Sequence, residues 1–198
     1  MIAGLLLAAG RSSRFGGDKL LAPLHGRPLL YWSAAAIATE VDTLYLVVPP
    51  DAVQQIEALE GIPSVVVEHA GRDAGMASSI RAGIAALPPE VEAVVIALAD
   101  QPLVSSGVVR RLCDRWRAGG ASAVAPRYRD GRGHPVLFGR ETFAALGTLE
   151  GDTGARAVLD ALDERLALVP VDEMIPVDVD TPEALRALAA VWQNSLSS

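Results

Sequence analysis

The chain has 198 residues, of which 51% are hydrophobic, so it is long enough to bury the core of one domain. Its formal net charge is −7, yet residues 1–30 carry four cations and one acid, which sum to +3. A positive potential confined to so short a stretch suits a small anion and argues against a nucleic-acid partner. Cys113 is the only cysteine, which excludes an intrachain disulfide and argues against a cysteine-based metal site.

The hydropathy of the chain gives no reason to expect a membrane partner. No segment approaches about 18 consecutive apolar residues, the length at which a membrane-spanning helix is considered. The apolar N-terminus is short and lacks the basic residues that begin a secretion signal. We therefore expect a cytoplasmic protein.

The N-terminal segment predicts a buried strand that ends in a phosphate-binding loop. Residues 2–7 form a continuous apolar run, typical of a parallel strand that is buried on both faces. Beyond it, glycines leave backbone N–H groups uncovered, and Arg11, Arg14 and Lys19 bring three cations into nine residues. The spacing matches neither the Walker loop nor the dinucleotide fingerprint, and an ordinary loop with solvent-facing arginines is the alternative. Lys19 is the only lysine among 17 Lys and Arg residues, which favours a need for a compact point charge.

Short apolar runs then alternate with helical patterns, as in a parallel sheet with crossover helices. Strands are predicted at residues 43–48, 63–67, 91–98, 123–126 and 166–171. Helices are predicted to begin at Arg27-Pro28, at a cap on Asp51, near residue 77 and at Ser105. An Asp-Gly turn predicts a small antiparallel insertion near residues 127–138. The fold class expected is α/β: a single-domain, Rossmann-like three-layer sandwich over residues 1–198, with a mostly parallel twisted sheet and a disordered tail at 194–198.

Asp100 is predicted to lie at the edge of the sheet where ligands bind in open α/β folds, and two later aspartates fall in a predicted last strand. Asp100 follows a strand directly, in an Asp-Gln-Pro sequence that suits either a metal ligand or a turn. Residues 177–180 predict a last strand, whose alternation would place Asp178 and Asp180 on one face. A helix cap accounts for Thr181 and for one aspartate, but it does not account for Asp178.

Other polar residues have a structural and a binding interpretation. Ser78 and Ser79 begin a helix, where capping explains one hydroxyl and a ligand would explain the other. His134 in isolation is more often structural than catalytic. Arg156 suits either a surface position or a bidentate contact with a phosphate.

Together these motifs resemble the nucleotidyltransferases that condense a phosphate acceptor with a nucleoside triphosphate. The run Leu7-Ala8-Ala9-Gly10-x-Ser12-x-Arg14-x-Gly16-x-x-Lys19 is similar to their signature L-A-A/G-G-x-S-x-R-x-G-x-x-K. Two later segments, Gly133-His134-Pro135-Val136-Leu137-Phe138 and Gly151-Asp152-Thr153-Gly154-Ala155-Arg156, resemble the molybdopterin-directed branch.

The resemblance implies a role for each matching residue. The nucleotide-binding residues would be Leu7, Ala8, Ala9, Gly10, Ser12, Arg14, Lys19, Ser78, Ser79 and Asp100. Catalysis would use Arg14, Lys19 and Asp100. Mg²⁺ would be held by Asp100 together with Asp178 or Asp180, between which the sequence does not decide. The acceptor would contact His134, Asp152 and Arg156.

The function implied is transfer of CMP from CTP to the phosphate of Mo-molybdopterin, with release of pyrophosphate. Ala9 favours CTP, because CTP-using members tend to have Ala where the guanylyl branch has Gly. A molybdoenzyme or its maturation factor is a further partner that the resemblance allows. The alternatives are guanylyl transfer or cytidylyl transfer to a related acceptor, an NAD(P)-dependent oxidoreductase, and a non-catalytic carrier of the molybdenum cofactor.

Overall fold

The computed structural model of the chain describes residues 1–10, 15–71, 75–151 and 154–196, with side chains as far as Trp192. Its strands are β1 (Ile2–Leu7), β2 (Pro23–Leu24), β3 (Arg27–Pro28), β4 (Thr43–Val48), β5 (Ser64–Glu68), β6 (Ala93–Leu98), β7 (Ala123–Tyr128), β8 (Gly131–Arg132), β9 (Val136–Gly139) and β10 (Leu166–Pro170). Its helices are α1 (Leu29–Ala38), α2 (Val53–Glu57), α3 (Gly75–Ala85), α4 (Ser106–Arg117), α5 (Phe143–Leu146), α6 (Arg156–Asp160) and α7 (Pro182–Leu196). Among the described residues no helix is long and apolar enough to span a membrane.

The main sheet has the strand order β10-β7-β9-β6-β1-β4-β5, with β8 paired to β7. Strands β6, β1, β4 and β5 run parallel to one another, and β10 runs parallel to β7. Strand β9 is antiparallel to both β6 and β7, and β7 and β8 form an antiparallel hairpin. The predicted fold class is therefore confirmed, including the antiparallel insertion. Strand β1 lies between β6 and β4, so the loop that follows it opens between two neighbours.

Each face of the sheet packs against helices, because β1 is buried along its whole length and turns alternate side chains to opposite sides. Leu6 joins a core cluster with residues of α1 and α4, whereas Leu5 joins a second cluster with residues of α3. Two glycines permit close approach on the two faces. A Cβ added to Gly4 would lie 2.7 Å from Ile37 Cγ2, and one added to Gly83 would lie 2.4 Å from Leu5 Cδ1.

The chain departs from the predicted strand at residues 177–180. This segment contains no regular strand; its backbone is fixed by a hydrogen bond from Val179 N to Asp100 O (3.0 Å). The alternating Val-Asp pattern thus reflects one buried valine, Val179, rather than a ladder of paired residues. The contact carries Asp178 and Asp180 to the end of β6.

Three helix boundaries also differ from expectation. Arg27 and Pro28 pair with β2 as a two-residue strand, and α1 begins only at Leu29. Asp51 does not cap α2, because its φ is 63° and the capping position is Ala52, which makes no side-chain cap. Helix α7 continues through Leu196, three residues into the tail predicted to be disordered.

Candidate functional site

The ends of β1 and β6 lie side by side and place the two main candidate segments next to each other. Leu7 is in register with Val47 on one side and with Leu98 on the other. Past the strand end, Ala8 N donates to Val47 O (2.8 Å) and Ala99 N donates to Leu7 O (3.1 Å). The glycine-rich loop and the Asp100 loop therefore leave the same edge of the sheet, as expected for a ligand site in an open parallel sheet.

Lys19 lies between two of the predicted aspartates. Its Nζ is 2.6 Å from Asp100 Oδ2 and 2.7 Å from Asp180 Oδ1. The lysine side chain is 8% exposed, whereas the two aspartate side chains are 22% and 34% exposed. The ammonium thus lies on the protein side of the cluster, and both carboxylates retain a face toward solvent.

The carboxylates determine the protonation state of this lysine. Burial on its own would lower the pKa of the Lys19 ammonium, but the hydrogen bonds and charges of Asp100 and Asp180 outweigh it, so the pKa is raised above the usual value. The Lys19 side chain is therefore protonated and carries a full positive charge at neutral pH.

Asp178 occupies a different environment from Asp180. Its Oδ1 accepts a hydrogen bond from Gln101 Nε2 at 2.7 Å. Burial raises the pKa of the Asp178 carboxyl, and the nearby charges of Asp100 and Asp180 raise it further, against the opposing effects of Gln101 and Lys19. The two aspartates that the sequence could not separate are therefore distinct, since Asp180 shares a cation with Asp100 and Asp178 does not hydrogen-bond to it.

The donor atoms at this edge fit a hard divalent cation. Asp100 and Asp180 already converge on one positive atom, and carboxylate oxygens are the ligands that Mg²⁺ prefers. Within the described ranges, no group of three or more His, Cys, Asp or Glu side chains is arranged to hold a metal ion. Mg²⁺ commonly takes only one or two carboxylates and completes its shell with phosphate oxygens and water. A metal at this edge would depend on such additional ligands.

The position of Lys19 is fixed by two residues that the sequence analysis did not single out. Asp18 begins the short 3₁₀ turn Lys19–Leu21, and its Oδ1 accepts a hydrogen bond from Leu20 N at 3.0 Å. Its Oδ2 accepts another from Gln55 Nε2 of α2 at 2.6 Å. Gln55 is buried, although an isolated glutamine in a short helix gives no sequence pattern that would identify it.

The two serines in the first turns of α3 are buried, and Ser78 makes its polar contacts with other residues of the protein. Ser78 Oγ lies 2.9 Å from His69 Nε2, 3.0 Å from Gly71 O and 2.8 Å from Gly75 O. These contacts tie the loop after β5 to the helix, which favours a structural role for Ser78. Ser79 is buried at 8% exposure.

The two segments predicted to bind the acceptor lie in different surroundings. A Cβ added to Gly154 would lie 2.9 Å from Met76 Sδ, and Ala77 N donates to Gly151 O, so Gly151 and Gly154 both contact the start of α3. Arg156 itself is exposed and lies 3.9 Å from Asp160.

His134 is within electrostatic range of the aspartate cluster. Burial lowers the pKa of its imidazole below the usual value, against a backbone hydrogen bond at Ile96 and the charges of Asp178 and Asp100. Its backbone carbonyl accepts a hydrogen bond from the Tyr128 hydroxyl at 2.8 Å. The imidazole is neutral at pH 7, so it would offer a hydrogen bond rather than a positive charge.

The remaining predicted residues belong to the first loop and to the acceptor segment. Leu7, Ala8 and Ala9 are buried, whereas Gly10 is exposed. Ser12, Arg14 and Asp152 lie outside the described residues, and their predicted roles stay predictions.

Comparison with known proteins gives a consistent family match. A family model described as a MobA-like NTP transferase domain matches residues 4–167. A nicotine blue oxidoreductase from Paenarthrobacter nicotinovorans is 33% identical over 196 residues, covering 94% of this chain and 96% of its own. A probable molybdenum cofactor guanylyltransferase from Haloferax mediterranei is 34% identical over 191 residues, covering 96% of this chain and 88% of its own.

A solved structure is also similar over nearly the whole chain. The protein Rv0371c from Mycobacterium tuberculosis is 32% identical, with a TM-score of 0.85, and the match covers 96% of this chain and 97% of that one. A further structure of Rv0371c is a manganese complex, with a TM-score of 0.79 at the same identity and coverage of 96% and 98%.

Proposed function

The chain belongs to the family of MobA-like NTP transferase domains and is a nucleotidyltransferase; we propose that it transfers CMP from CTP to the phosphate of Mo-molybdopterin. The observation that carries this proposal is the ion cluster of Lys19, Asp100 and Asp180 at the mouth of the glycine-rich loop. A triphosphate bound on this loop would meet the Lys19 cation beside two carboxylates able to hold Mg²⁺, and such positive groups stabilise the phosphoryl oxygens in the transition state. The transfer would take place in the cytoplasm.

The proposed reaction is a direct displacement. An ionised oxygen of the acceptor phosphate attacks the α-phosphorus of CTP, and the bond from that phosphorus to the bridging oxygen of pyrophosphate breaks. Pyrophosphate leaves with the electron pair, and no covalent intermediate with the protein is needed. The attacking oxygen is already ionised, so the protein supplies position and charge rather than a general base. Lys19, with Arg14 of the same loop, would offset negative charge on the phosphoryl oxygens.

Asp100 and Asp180 are the residues that we propose to hold Mg²⁺. Both carboxylates converge on the Lys19 ammonium, whereas the carboxylate of Asp178, a residue that is also exposed, accepts a hydrogen bond from Gln101. Mg²⁺, when bound, would supply further charge neutralisation at the phosphate oxygens. Of the two later aspartates, we therefore propose Asp180 rather than Asp178 as the second ligand.

Cytidylyl rather than guanylyl transfer rests on Ala9. The names of relatives such as the Haloferax mediterranei protein point the other way, toward GTP. Ala9 is 3% exposed and packs in the core cluster beside α3, so its methyl group would act by fixing the path of the loop beneath the base. Removing it would give the loop room to move away from a larger purine.

The acceptor would lie on the other side of the aspartate cluster, against His134 and the Gly151–Arg156 segment. Arg156 has an exposed side chain and a distant ion-pair partner, so it is available to a phosphate. Asp152 of the same segment is a further proposed contact. A molybdoenzyme that receives the product, or its maturation factor, remains a proposed partner.

The experiment is pyrophosphate release from CTP or GTP, with Mg²⁺, in the presence and absence of Mo-molybdopterin. The proposal predicts release that requires the acceptor and is faster with CTP. Release that is faster with GTP would replace the cytidylyl assignment by a guanylyl one. Absence of release with either nucleotide would contradict nucleotidyl transfer to this acceptor.

A second candidate function is supported by the relative named nicotine blue oxidoreductase, which matches 94% of this chain. An oxidoreductase using NAD(P)H would need a nucleotide site on the same sheet. In dinucleotide-binding sheets an acid near the end of the second strand contacts the ribose. Here Val48 is followed by two prolines, which does not favour this candidate. Oxidation of NADH or NADPH with nicotine blue, followed by absorbance, tests it; turnover there without pyrophosphate release from CTP would favour it over transfer.

A further inference from the structure

We propose that Lys19 occupies the metal-binding carboxylates in the resting protein, and that the divalent cation displaces it toward the nucleotide phosphates. The inference rests on the proposed metal site and concerns the order of events at that site. It gives the single lysine of the chain two successive partners, first Asp100 and Asp180, then the triphosphate.

The Lys19 ammonium and a divalent cation would compete for the same carboxylates, those of Asp100 and Asp180. Lys19 Nζ donates to one oxygen of each carboxylate at 2.6 and 2.7 Å, the short distances of strong charge-assisted hydrogen bonds. Mg²⁺ binds carboxylate oxygens at about 2.0–2.1 Å and demands a regular octahedron. A metal that drew Asp100 and Asp180 into its shell would bring its charge close to the ammonium, and the two cations would repel each other.

The charge of the carboxylate cluster also favours replacement of the Lys19 ammonium by a divalent cation. In the resting protein the single charge of the Lys19 ammonium is shared between the two carboxylates that it bonds, and the carboxylate of Asp178 lies near both of them. A divalent cation balances this cluster better than an ammonium does. Once the metal has taken the carboxylates, the positive charge of Lys19 is left over, and triphosphate is the nearest anion expected at this loop.

The contact of Lys19 with Asp100 and Asp180 also has a role before the metal binds. Lys19 is 8% exposed, and its ammonium offsets the repulsion between the carboxylates of Asp100 and Asp180 at this partly buried site. By holding Asp100 and Asp180 together, the ammonium keeps the metal site assembled before the metal arrives. The same contact makes the free protein a weak binder of metal, and metal bound to nucleotide would be preferred over free metal.

The test is the affinity of the nucleotide-free protein for Mn²⁺, followed by electron paramagnetic resonance. Lys19→Met removes the competing ammonium while keeping an unbranched apolar side chain. We expect Lys19→Met to bind Mn²⁺ about tenfold or more tightly than the wild type, which corresponds to about 1.4 kcal/mol. The matched control is Arg110→Met, which removes a cation that is bonded to Glu40 at 2.8 Å on another surface, and its affinity should be unchanged. A smaller gain, no change or a loss in Lys19→Met would overturn the proposal.

A second measurement uses the unaltered protein and does not depend on the folding of a variant. Because Lys19 is the only lysine, lysine labelled with carbon-13 at Cε alone gives a single side-chain NMR signal. Displacement predicts that this signal shifts and sharpens in a saturable way when Mg²⁺ is added alone, as the ammonium leaves its two hydrogen bonds. Saturation of the site with Mg²⁺ and an unmoved lysine signal would show that lysine and metal bind together, which also overturns the proposal.

Neither measurement uses substrate turnover, so failure of this inference is distinguishable from failure of the proposed function. Pyrophosphate release with an unmoved lysine signal would leave the transferase assignment intact and remove only the exchange. A shift of the lysine signal without pyrophosphate release would support the exchange and contradict the proposed transferase activity.

Discussion

Replacing Asp180 by Asn should lower the thermal stability of the metal-free protein, whereas replacing Asp178 by Asn should not. Asp180 Oδ1 accepts a hydrogen bond from the Lys19 ammonium at 2.7 Å, and a hydrogen bond to a charged group contributes about 1.5–3 kcal/mol. The aspartate side chain is 34% exposed and Asn retains an acceptor oxygen, so solvent screening reduces the expected loss to about 1 kcal/mol. For a domain of this length that corresponds to a fall in Tm of about 2–4 °C.

The ionised Asp178 carboxylate, unlike that of Asp180, is expected to lower the stability of the folded protein at neutral pH. Burial, and then the charges of Asp100 and Asp180, raise the pKa of its carboxyl in the folded protein above its ordinary value of 3.8. The folded state therefore binds the proton more tightly than the unfolded state, and stability contributed by this group falls as pH rises from 3.8 through the folded pKa. At pH 7 the ionised carboxylate is a net cost that Asn removes, while Gln101 Nε2 retains an acceptor.

The assay is thermal unfolding of both variants and the wild type at pH 7 and at pH 4, with a chelator present. At pH 7 we expect a lower Tm for Asp180→Asn and an unchanged or higher Tm for Asp178→Asn. At pH 4 the difference between Asp178→Asn and the wild type should shrink, because a larger fraction of the wild-type carboxyl is then protonated. A loss of stability in Asp178→Asn that equals or exceeds that of Asp180→Asn would refute the assignment of separate roles.

Four other substitutions have expected outcomes, two at the proposed nucleotide site and two at glycines in helices. Lys19→Ala should lower kcat/KM for nucleotidyl transfer by about 10²-fold or more, because a lost electrostatic donor typically removes about 3 kcal/mol of transition-state stabilisation; near-normal turnover by a folded variant would remove Lys19 from the mechanism. Ala9→Gly should reduce a wild-type preference for CTP over GTP of about 10 to 200-fold, and steady-state kinetics that leave the preference untouched would refute the stated cause. Gly83→Ala should lower the free energy of unfolding by about 1–3 kcal/mol, because its Cβ would lie 2.4 Å from Leu5 Cδ1. Gly107→Ala, in a helix with 3.9 Å of clearance, should instead raise it by about 0.5–1 kcal/mol, and equal effects in denaturant unfolding would contradict the packing argument.

The sequence was sufficient for the sheet and for the edge where the site lies. Continuous apolar runs identified β1, β4 and β6, and polar residues directly after them had to meet at one edge because the strands are parallel. Lys19 and Asp100 were both predicted there from their chain positions, and the structure places them 2.6 Å apart. Resemblance to the nucleotidyltransferases, carried by motifs, is confirmed by the family match over residues 4–167.

The sequence was not sufficient for the choice between Asp178 and Asp180. Alternation in a strand would have placed both on one face, but the segment is anchored by Val179 N on Asp100 O instead of a ladder. Which carboxylate reaches Lys19 then depends on the path of a loop, and that path is set by a long-range contact that no local pattern encodes. Gln55 and Gln101 were missed for the same reason, since their partners Asp18 and Asp178 are distant in sequence.

Ser78 shows a local pattern with more than one physical meaning. A hydroxyl at the start of a helix suits a cap or a ligand, and here it contacts His69 and two backbone carbonyls. The histidine comes from the preceding loop, so only the fold reveals the competitor. The packing of Gly154 on Met76 is a similar case, because it joins two motifs that are far apart in the chain.

We propose that this protein transfers CMP from CTP to the phosphate of Mo-molybdopterin, and the most direct measurement follows radioactive label from CTP into the pterin product. One reaction carries the label in the α-phosphate of CTP and another carries it in the γ-phosphate. We expect α-label to enter the product in proportion to the pyrophosphate released, γ-label to stay in pyrophosphate, and Lys19→Ala to lower kcat/KM for both the incorporation of α-label and the release of pyrophosphate by about 10²-fold or more. Pyrophosphate release with no α-label in the pterin product, or γ-label in that product, would contradict CMP transfer.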